Sequence, residues 1–299
     1  MNETLDHRTL IASFPSETRR RLCLQSDGPG LLRGTVHLGA IGLLGTAIAL
    51  EVPGWPMLML PQGILLVFLF TALHETIHET AFRTQQLNRA LALVAGSATL
   101  LSPLHFRYFH FAHHHFTHDP ERDPELATPS PETPWQYVWY LTGLPDWYGR
   151  TKTLLKTAVR EPDDHFVPLR ARHRITKQAR AMLLFYALVL LLALPTVLWV
   201  WLLPLLLGGP FLRAYLLAEH HLCPHVSDML SNTRTTFTNR LVRWVAWNMP
   251  YHTEHHAYPA VPFHNLPAFH AITAPHLRET ERGYTRFNGR MFSTLQQGG

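Results

Sequence analysis

Spaced histidines are the feature of this sequence with the clearest chemical use. The chain has 21 histidines in 299 residues, as many as its aspartates and glutamates together. The first pair, His74 and His78, is four residues apart, so on a helix the two imidazoles lie one turn apart on the same face. Because imidazole binds metals and exchanges protons near neutral pH, this spacing indicates a metal site.

Two later clusters repeat the spacing H-x-x-H-H. Their members are His110, His113 and His114 in the first and His252, His255 and His256 in the second. On a helix the first two histidines of a cluster share a face and the adjacent third points about 100° away, so one cluster has the geometry to serve two metals. His220 is a further candidate ligand, with His221 as its alternative, and the roles of His115 and His118 stay open.

Two other classes of protein fit part of this pattern. His74-Glu75-x-x-His78 matches the H-E-x-x-H motif of zinc proteases, in which Glu75 would be the general base. One zinc needs only three or four such ligands, which leaves most of the histidines without a role, so a membrane zinc protease is a remote alternative. A metal transporter would carry ionisable ligands inside its spans, where here His37 and Arg213 are nearly alone.

Apolar segments alternate with the histidine clusters. Hydrophobic residues make up 46% of the chain and charged residues 16%. Segments 32–50 and 57–73 are each close to the roughly 20 residues that cross a bilayer as a helix. The block 181–219 is too long for one crossing and predicts two spans, with Pro204 and residues 208–210 as places to turn. The sequence thus predicts two membrane hairpins.

Basic residues beside these spans predict their orientation. Arginines 19–21 precede the first span, and five basic residues between 170 and 180 precede the third. By the positive-inside rule both flanks lie in the cytoplasm, so four spans return the termini and all the histidine clusters to that side. Segment 91–101 is too short to cross and is predicted to be a half-buried or interfacial helix. Segment 134–149 is rich in Trp and Tyr, which predicts an interfacial segment at headgroup depth, with a place in the protein core for some of these rings as the alternative.

These patterns predict an all-α integral membrane protein of one domain, with four transmembrane helices in two hairpins and a cytoplasmic helical cap that carries the histidines. The expected division is a cytoplasmic N-terminal segment 1–30, a first hairpin 31–73, a cytoplasmic region 74–180, a second hairpin 181–219 and a cytoplasmic region 220–299. Two cysteines, Cys23 and Cys223, are too few for a cysteine-based zinc or iron–sulfur site.

The histidine clusters and their surroundings resemble the membrane fatty acid desaturase superfamily, and its bacterial desaturase and hydroxylase branches in particular. Members carry H-x(3 or 4)-H and two copies of H-x-x-H-H on the cytoplasmic side of four spans. The stretches that carry the likeness are 113–125, 218–220, 232–236 and 247–259. The resemblance covers roughly residues 40–276.

The resemblance implies a non-haem di-iron centre held entirely by histidines, with no catalytic residue beyond the ligands. The implied ligands are His74, His78, His110, His113, His114, His220, His252, His255 and His256. Acidic and amide neighbours of such ligands commonly accept hydrogen bonds from their imidazoles. The candidates for that role are Glu75, Glu79, Asp119, Asp123, Glu219, Asn248 and Glu254.

By the same resemblance, the protein is an oxidoreductase that uses dioxygen to desaturate a fatty acyl or lipid-like alkyl chain. A hydroxylase or ketolase of the superfamily, acting on an alkyl, acyl or carotenoid-type substrate, is the alternative, because these reactions diverge only after a shared first step. No H-P-G-G motif of a fused cytochrome b5 domain is present. Electrons are therefore expected from a separate ferredoxin, rubredoxin or cytochrome with its reductase. The expected location is the bacterial inner membrane, and no nucleic-acid partner is expected.

Overall fold

The structure, a computed structural model, describes residues 5–297, and the protein is 71% helical. In chain order the α-helices are α1 (His7–Ser13), α2 (Ser16–Leu22), α3 (Asp27–Ala49), α4 (Trp55–Ile77), α5 (Gln85–Ala98), α6 (Pro103–Phe116), α7 (Pro134–Leu141), α8 (Leu144–Val159), α9 (Leu169–Val197), α10 (Leu203–His220), α11 (Met229–Asn232), α12 (Arg240–Val245), α13 (His252–Ala257), α14 (Leu266–Thr273) and α15 (Tyr284–Gln297). Shorter elements are 3₁₀ turns at Pro124–Ala127 and Ala274–His276, a π-helical segment Leu198–Leu202, and strands β1 (Thr235–Phe237) and β2 (Thr280–Arg282).

Within residues 5–297, three helical segments are long and apolar enough to cross a membrane. They are Ser16–Ala49, Trp55–Ile77 and Leu169–His220. A fourth results if α5 and α6, which meet at 97°, form one broken span. The predicted spans 32–50 and 57–73 fall inside α3 and α4, which are joined through Gly54 at a φ of 83°, a left-handed conformation that suits glycine.

The second apolar block bends at a different place from the one predicted. Pro204 and the glycines at 208 and 209 lie inside α10, and the backbone leaves the helical conformation at Ala193 instead. The rings of Tyr186 and Trp201 are 5.7 Å apart, whereas a straight helix would separate these positions by about 22 Å. The chain therefore turns sharply at Ala193.

The glycines of α10 serve helix packing, which is why they do not mark a turn. A Cβ atom built on Gly208 would lie 2.3 Å from the carbonyl oxygen of Gly63 in α4, and one built on Gly63 would lie 2.0 Å from the carbonyl oxygen of Pro204. Small residues let two apolar helices approach this closely. This contact keeps the C-terminal ends of α4 and α10 side by side. His74 and His220 therefore lie at a similar height along the two helices.

Two predictions about smaller segments need correction or completion. The fold is not purely α-helical, because β1 and β2 pair in parallel with Thr236 opposite Glu281. Strands of three residues are too short to leave a hydrophobic alternation in the sequence.

The aromatic segment 134–149 divides between α7 and α8, with Trp135 77% exposed and Tyr137 buried, so its rings serve both the surface and the core.

Candidate metal centre

Histidines from α4, α6, α10 and α13 meet at one place in the fold. The five-histidine cluster consists of His74, His78, His110, His114 and His255. The three-histidine cluster consists of His113, His220 and His256. Within each cluster, one ring nitrogen of every member lies within 4.8 Å of those of the others. His252, the ninth predicted ligand, is adjacent to the three-histidine cluster, with its Nε2 atom 2.9 Å from Nε2 of His220.

Helix geometry divides each H-x-x-H-H sequence between the two clusters. On α6, His110 and His114 lie one turn apart in the five-histidine cluster, while His113 belongs to the three-histidine cluster. On α13, His255 belongs to the five-histidine cluster and His256 to the three-histidine cluster. Adjacent helical residues point about 100° apart, so the chain supplies both clusters from one turn of helix.

The distances between ring nitrogens fit shared metal ions. The Nε2 atoms of His110 and His114 are 2.8 Å apart, and those of His113 and His220 are 3.1 Å apart. Two nitrogens that bind one ion at about 2.1 Å and at right angles are separated by about 3 Å. These two pairs of nitrogens therefore stand at the separation of neighbouring ligands on one ion.

Several cluster imidazoles are buried without a hydrogen-bond partner among the described residues. These atoms include both ring nitrogens of His74 and of His255, and Nε2 of His256. Burial and the neighbouring histidines hold the pKa of His255 and of His256 well below the usual 6.5, so both rings are neutral at pH 7. Neutral imidazole is the form that binds metals, and metal ions here would satisfy polar atoms whose burial is otherwise costly.

Two carboxylates orient His113. Its Nδ1 atom lies 3.0 Å from Oδ1 of Asp123 and 2.9 Å from Oε2 of Glu125, so Nδ1–H donates and Nε2 is left facing His220. Asp123 is held in turn by the backbone N–H groups of His118 and Glu125, at 2.9 and 3.0 Å. The structure thus places Asp123 against a predicted ligand, and Glu125 adds a partner that the sequence did not single out.

Two more predicted carboxylates are buried beside the clusters. Oε1 of Glu219 lies 3.4 Å from Nδ1 of His252. Glu254 is fully buried, accepts a hydrogen bond from the hydroxyl of Thr235 and pairs with Nδ1 of His270. Glu254 therefore fixes α13 to β1 and α14 through contacts outside the clusters. The part played by His270 was not predicted, because it depends on a contact between separate helices.

Four other candidates make their hydrogen bonds away from the cluster histidines. Oε1 of Glu75 accepts a hydrogen bond from the backbone N–H of Phe263 at 3.0 Å. In a zinc protease this carboxylate would instead have to face a metal-bound water. Glu79 pairs with Arg107, Asp119 pairs with Arg122, and the side chain of Asn248 donates to the carbonyl of Phe263. None of these contacts involves a cluster histidine, and Oε2 of Glu75 is buried without a hydrogen-bond partner among the described residues.

The three histidines whose roles were open differ in position. His115 is exposed beside Phe116, and Nδ1 of His221 lies 3.1 Å from the hydroxyl of Ser130, away from the clusters. His118 is buried, with its ring centre 5.8 Å from that of His220 and 4.4 Å from that of His225. Of the alternatives at the end of α10, the structure brings His220 into a cluster and directs His221 elsewhere.

The sequence that carries both clusters matches a known protein family. The family model of fatty acid desaturases matches residues 52–288, which include all nine predicted ligands. The chain belongs to the fatty acid desaturase family. Among curated proteins, none matches it.

In this fatty acid desaturase family member, a cavity of about 340 Å³ lies near the clusters, and its wall contains residues next to the cluster histidines rather than the histidines themselves. Three of its lining residues, Phe70, Phe106 and Leu216, each stand one helical turn before a cluster histidine. The ring of Phe106 stacks on that of His110 at 5.4 Å, and the ring of Phe70 lies 6.3 Å from that of His74. Glu125 lines the same cavity. An alkyl chain inside it would contact residues that lie one helical turn from the cluster histidines.

Proposed function

We propose that the protein is a membrane-bound non-haem di-iron oxidoreductase that desaturates a fatty acyl or lipid-like alkyl chain. The observation that carries the proposal is the pair of buried histidine clusters, several of whose ring nitrogens have no hydrogen-bond partner among the described residues, with a cavity nearby. The nine predicted ligands are the proposed metal-binding residues. Among the described residues, both clusters consist of histidines without a carboxylate, and imidazole suits iron.

Two iron ions held here would supply the activation of dioxygen that attack on an unactivated C–H bond requires. Desaturation takes two hydrogens from adjacent carbons and combines one dioxygen, two external electrons and two protons into two waters. The described residues would bind and position the chain: Phe70, Phe106 and Leu216 bury its methylene groups and exclude water near the histidines. Asp123 and Glu125 hold the ring of His113 in one orientation.

The proposal includes the arrangement in the membrane. A single domain with four spans would place the histidines and both termini in the cytoplasm of a bacterium, with the sharp turn at Ala193 dividing the second hairpin. The separate electron donor would then reach the clusters from the cytoplasm. Ferredoxin, rubredoxin and a cytochrome with its reductase all suit this role.

The metal content tests the proposal most directly. Protein purified without oxygen in detergent is expected to hold about two irons and little zinc per chain, as a di-iron centre requires. One tightly held zinc and no iron, after a check for metal exchange during purification, would contradict the proposal and favour the protease alternative. Mass spectrometry of lipid products from the active protein then separates desaturation, which removes two hydrogens, from hydroxylation, which adds one oxygen.

A further inference from the structure

An arginine within the last apolar helix has no role in the metal centre. Arg213 lies in α10, seven residues before His220, so the two are on nearly the same face and about 10 Å apart along the axis. Leu216 lies between them on that face, and both Arg213 and Leu216 line the cavity near the clusters. A charged side chain in an apolar span is costly to keep and marks a functional site.

The carboxylates of this cavity also have partners other than Arg213. Asp146 is the nearest carboxylate, 3.5 Å from Nη1 of Arg213, but its other oxygen is engaged by Arg150 at 2.8 Å. The second carboxylate of the cavity, Glu125, is engaged by His113 at 2.9 Å. Two guanidinium groups therefore share the carboxylate that remains on the cavity wall.

The two arginines differ in how many of their N–H donors have a partner. Arg150 also donates to the carbonyl oxygen of Thr99 at 2.9 Å, so two of its groups are bonded. Arg213 is covered on one side by the ring of Tyr140, with its Cζ atom 4.1 Å from the ring centre. Its Nε atom is buried with no hydrogen-bond partner within residues 5–297. Arg213 thus keeps one buried N–H donor without a partner among the described residues, at a cavity whose wall carries both polar and apolar side chains.

We propose that Arg213 binds the polar end of the substrate, an oxygen acceptor such as a carboxylate or an ester or thioester carbonyl. The chain would then run past Leu216 to the histidines, and the site of oxidation would lie at a fixed number of bonds from the polar end. This inference rests on the proposed function. It adds that the protein measures from the polar end of the chain, not from its methyl end.

Binding measurements test the anchor without turnover. Radiolabelled palmitate and hexadecane are added to the purified protein in detergent, as wild type, Arg213→Gln and the control Arg174→Gln, which removes an exposed arginine outside the cavity. Arg213→Gln is expected to weaken palmitate binding at least about tenfold, or about 1.4 kcal/mol, and to leave hexadecane binding within about twofold. Unchanged palmitate binding, or wild-type protein that binds hexadecane as tightly as palmitate, would overturn the proposal.

Asp146→Asn provides the opposite test if Arg213→Gln does not fold. Loss of the competing carboxylate frees Arg213, so palmitate binding should tighten, and unchanged or weaker binding counts against the anchor. Methyl palmitate separates the two oxygen acceptors: binding as tight as palmitate indicates a carbonyl, and weaker binding indicates a carboxylate. Acids of 14, 16 and 18 carbons should be oxidised at a constant distance from the carboxyl end. A constant distance from the methyl end would refute the measuring role, while absence of any oxidation would count against the proposed function alone.

Discussion

At the scale of single residues, neighbours in the sequence serve different clusters. His113 and His114 are adjacent, yet His113 faces His220 and His114 faces His110. Loss of either imidazole would remove a proposed metal ligand from only one cluster, but the two clusters share helices α6 and α13. Each cluster therefore depends on the same two helices as the other.

His113→Ala and His256→Ala are each expected to lower the iron content below two per chain and to abolish turnover, because a di-iron centre needs both ions. Metal analysis of the purified variants and product analysis measure the two effects. His115→Ala is the matched control: it removes an exposed imidazole on the same helix and should retain both iron and activity. Full activity in either cluster variant would refute a shared centre.

Asp123 offers a subtler test of how His113 is oriented. Asp123→Asn keeps the shape of the side chain but removes the charge that fixes Nδ1–H, so iron affinity should fall about 10- to 100-fold. Competition with a graded iron chelator measures the change. Asp119→Asn lies on the same loop and changes contacts with Arg122 and with the backbone N–H groups of Glu121 and Arg122, none of which is a cluster histidine, so its iron affinity should match that of the wild type. Equal affinity in both variants would mean that Asp123 does not orient the ligand.

The sequence predicts which histidines share a helix face but not what their other nitrogen contacts. Spacing along one helix is local, so the split of H-x-x-H-H between two clusters follows from 3.6 residues per turn. The contact of Glu125 with His113 depends on how the loop after α6 folds back. The contact of His270 with Glu254 depends on how α14 packs on α13. Local patterns carry no information on such distant contacts.

At the scale of elements, the contact between α4 and α10 determines whether His74 and His220 meet. A methyl group on Gly208 would lie 2.3 Å from the carbonyl oxygen of Gly63, so Gly208→Ala should separate the helices at a cost of about 1–3 kcal/mol. The thermal unfolding midpoint in detergent should fall by a few degrees. Gly39→Ala, at an exposed position of α3 with open space around it, should not lower the midpoint. A smaller drop for Gly208→Ala than for Gly39→Ala would contradict this packing role.

The same helix shows where prediction from composition fails. Proline and glycine mark turns in soluble loops, and that rule placed the turn of the second apolar block near Pro204. In apolar helices the same residues also allow close packing. The bend lies instead at Ala193, two residues before Pro195, whose ring disfavours helical backbone in the chain before it. Only the packing partner, Gly63, distinguishes the two uses of glycine.

At the scale of the whole molecule, hydropathy predicts the apolar helices well because each is long and continuous. The parallel pair of β1 and β2 leaves no such hydropathy signal, since it joins short segments more than 40 residues apart in the chain. It nevertheless fixes the polypeptide before α12 to the start of α15, beside Thr235 and its contact with Glu254. The side of the membrane on which this assembly lies follows from charge alone and is open to direct measurement.

Cysteine labelling in intact cells tests that orientation. The background for this experiment carries Cys23→Ser and Cys223→Ala. Single cysteines then replace two exposed residues, Glu121 after the first H-x-x-H-H sequence and Ala260 after the second. A membrane-impermeant thiol reagent should label neither until the cells are opened, because both positions are expected in the cytoplasm. Glu51→Cys, in the connection between α3 and α4, should be labelled from outside. Labelling of Glu121→Cys or Ala260→Cys from outside would reverse the orientation, and the electron donor would then have to act from the periplasm.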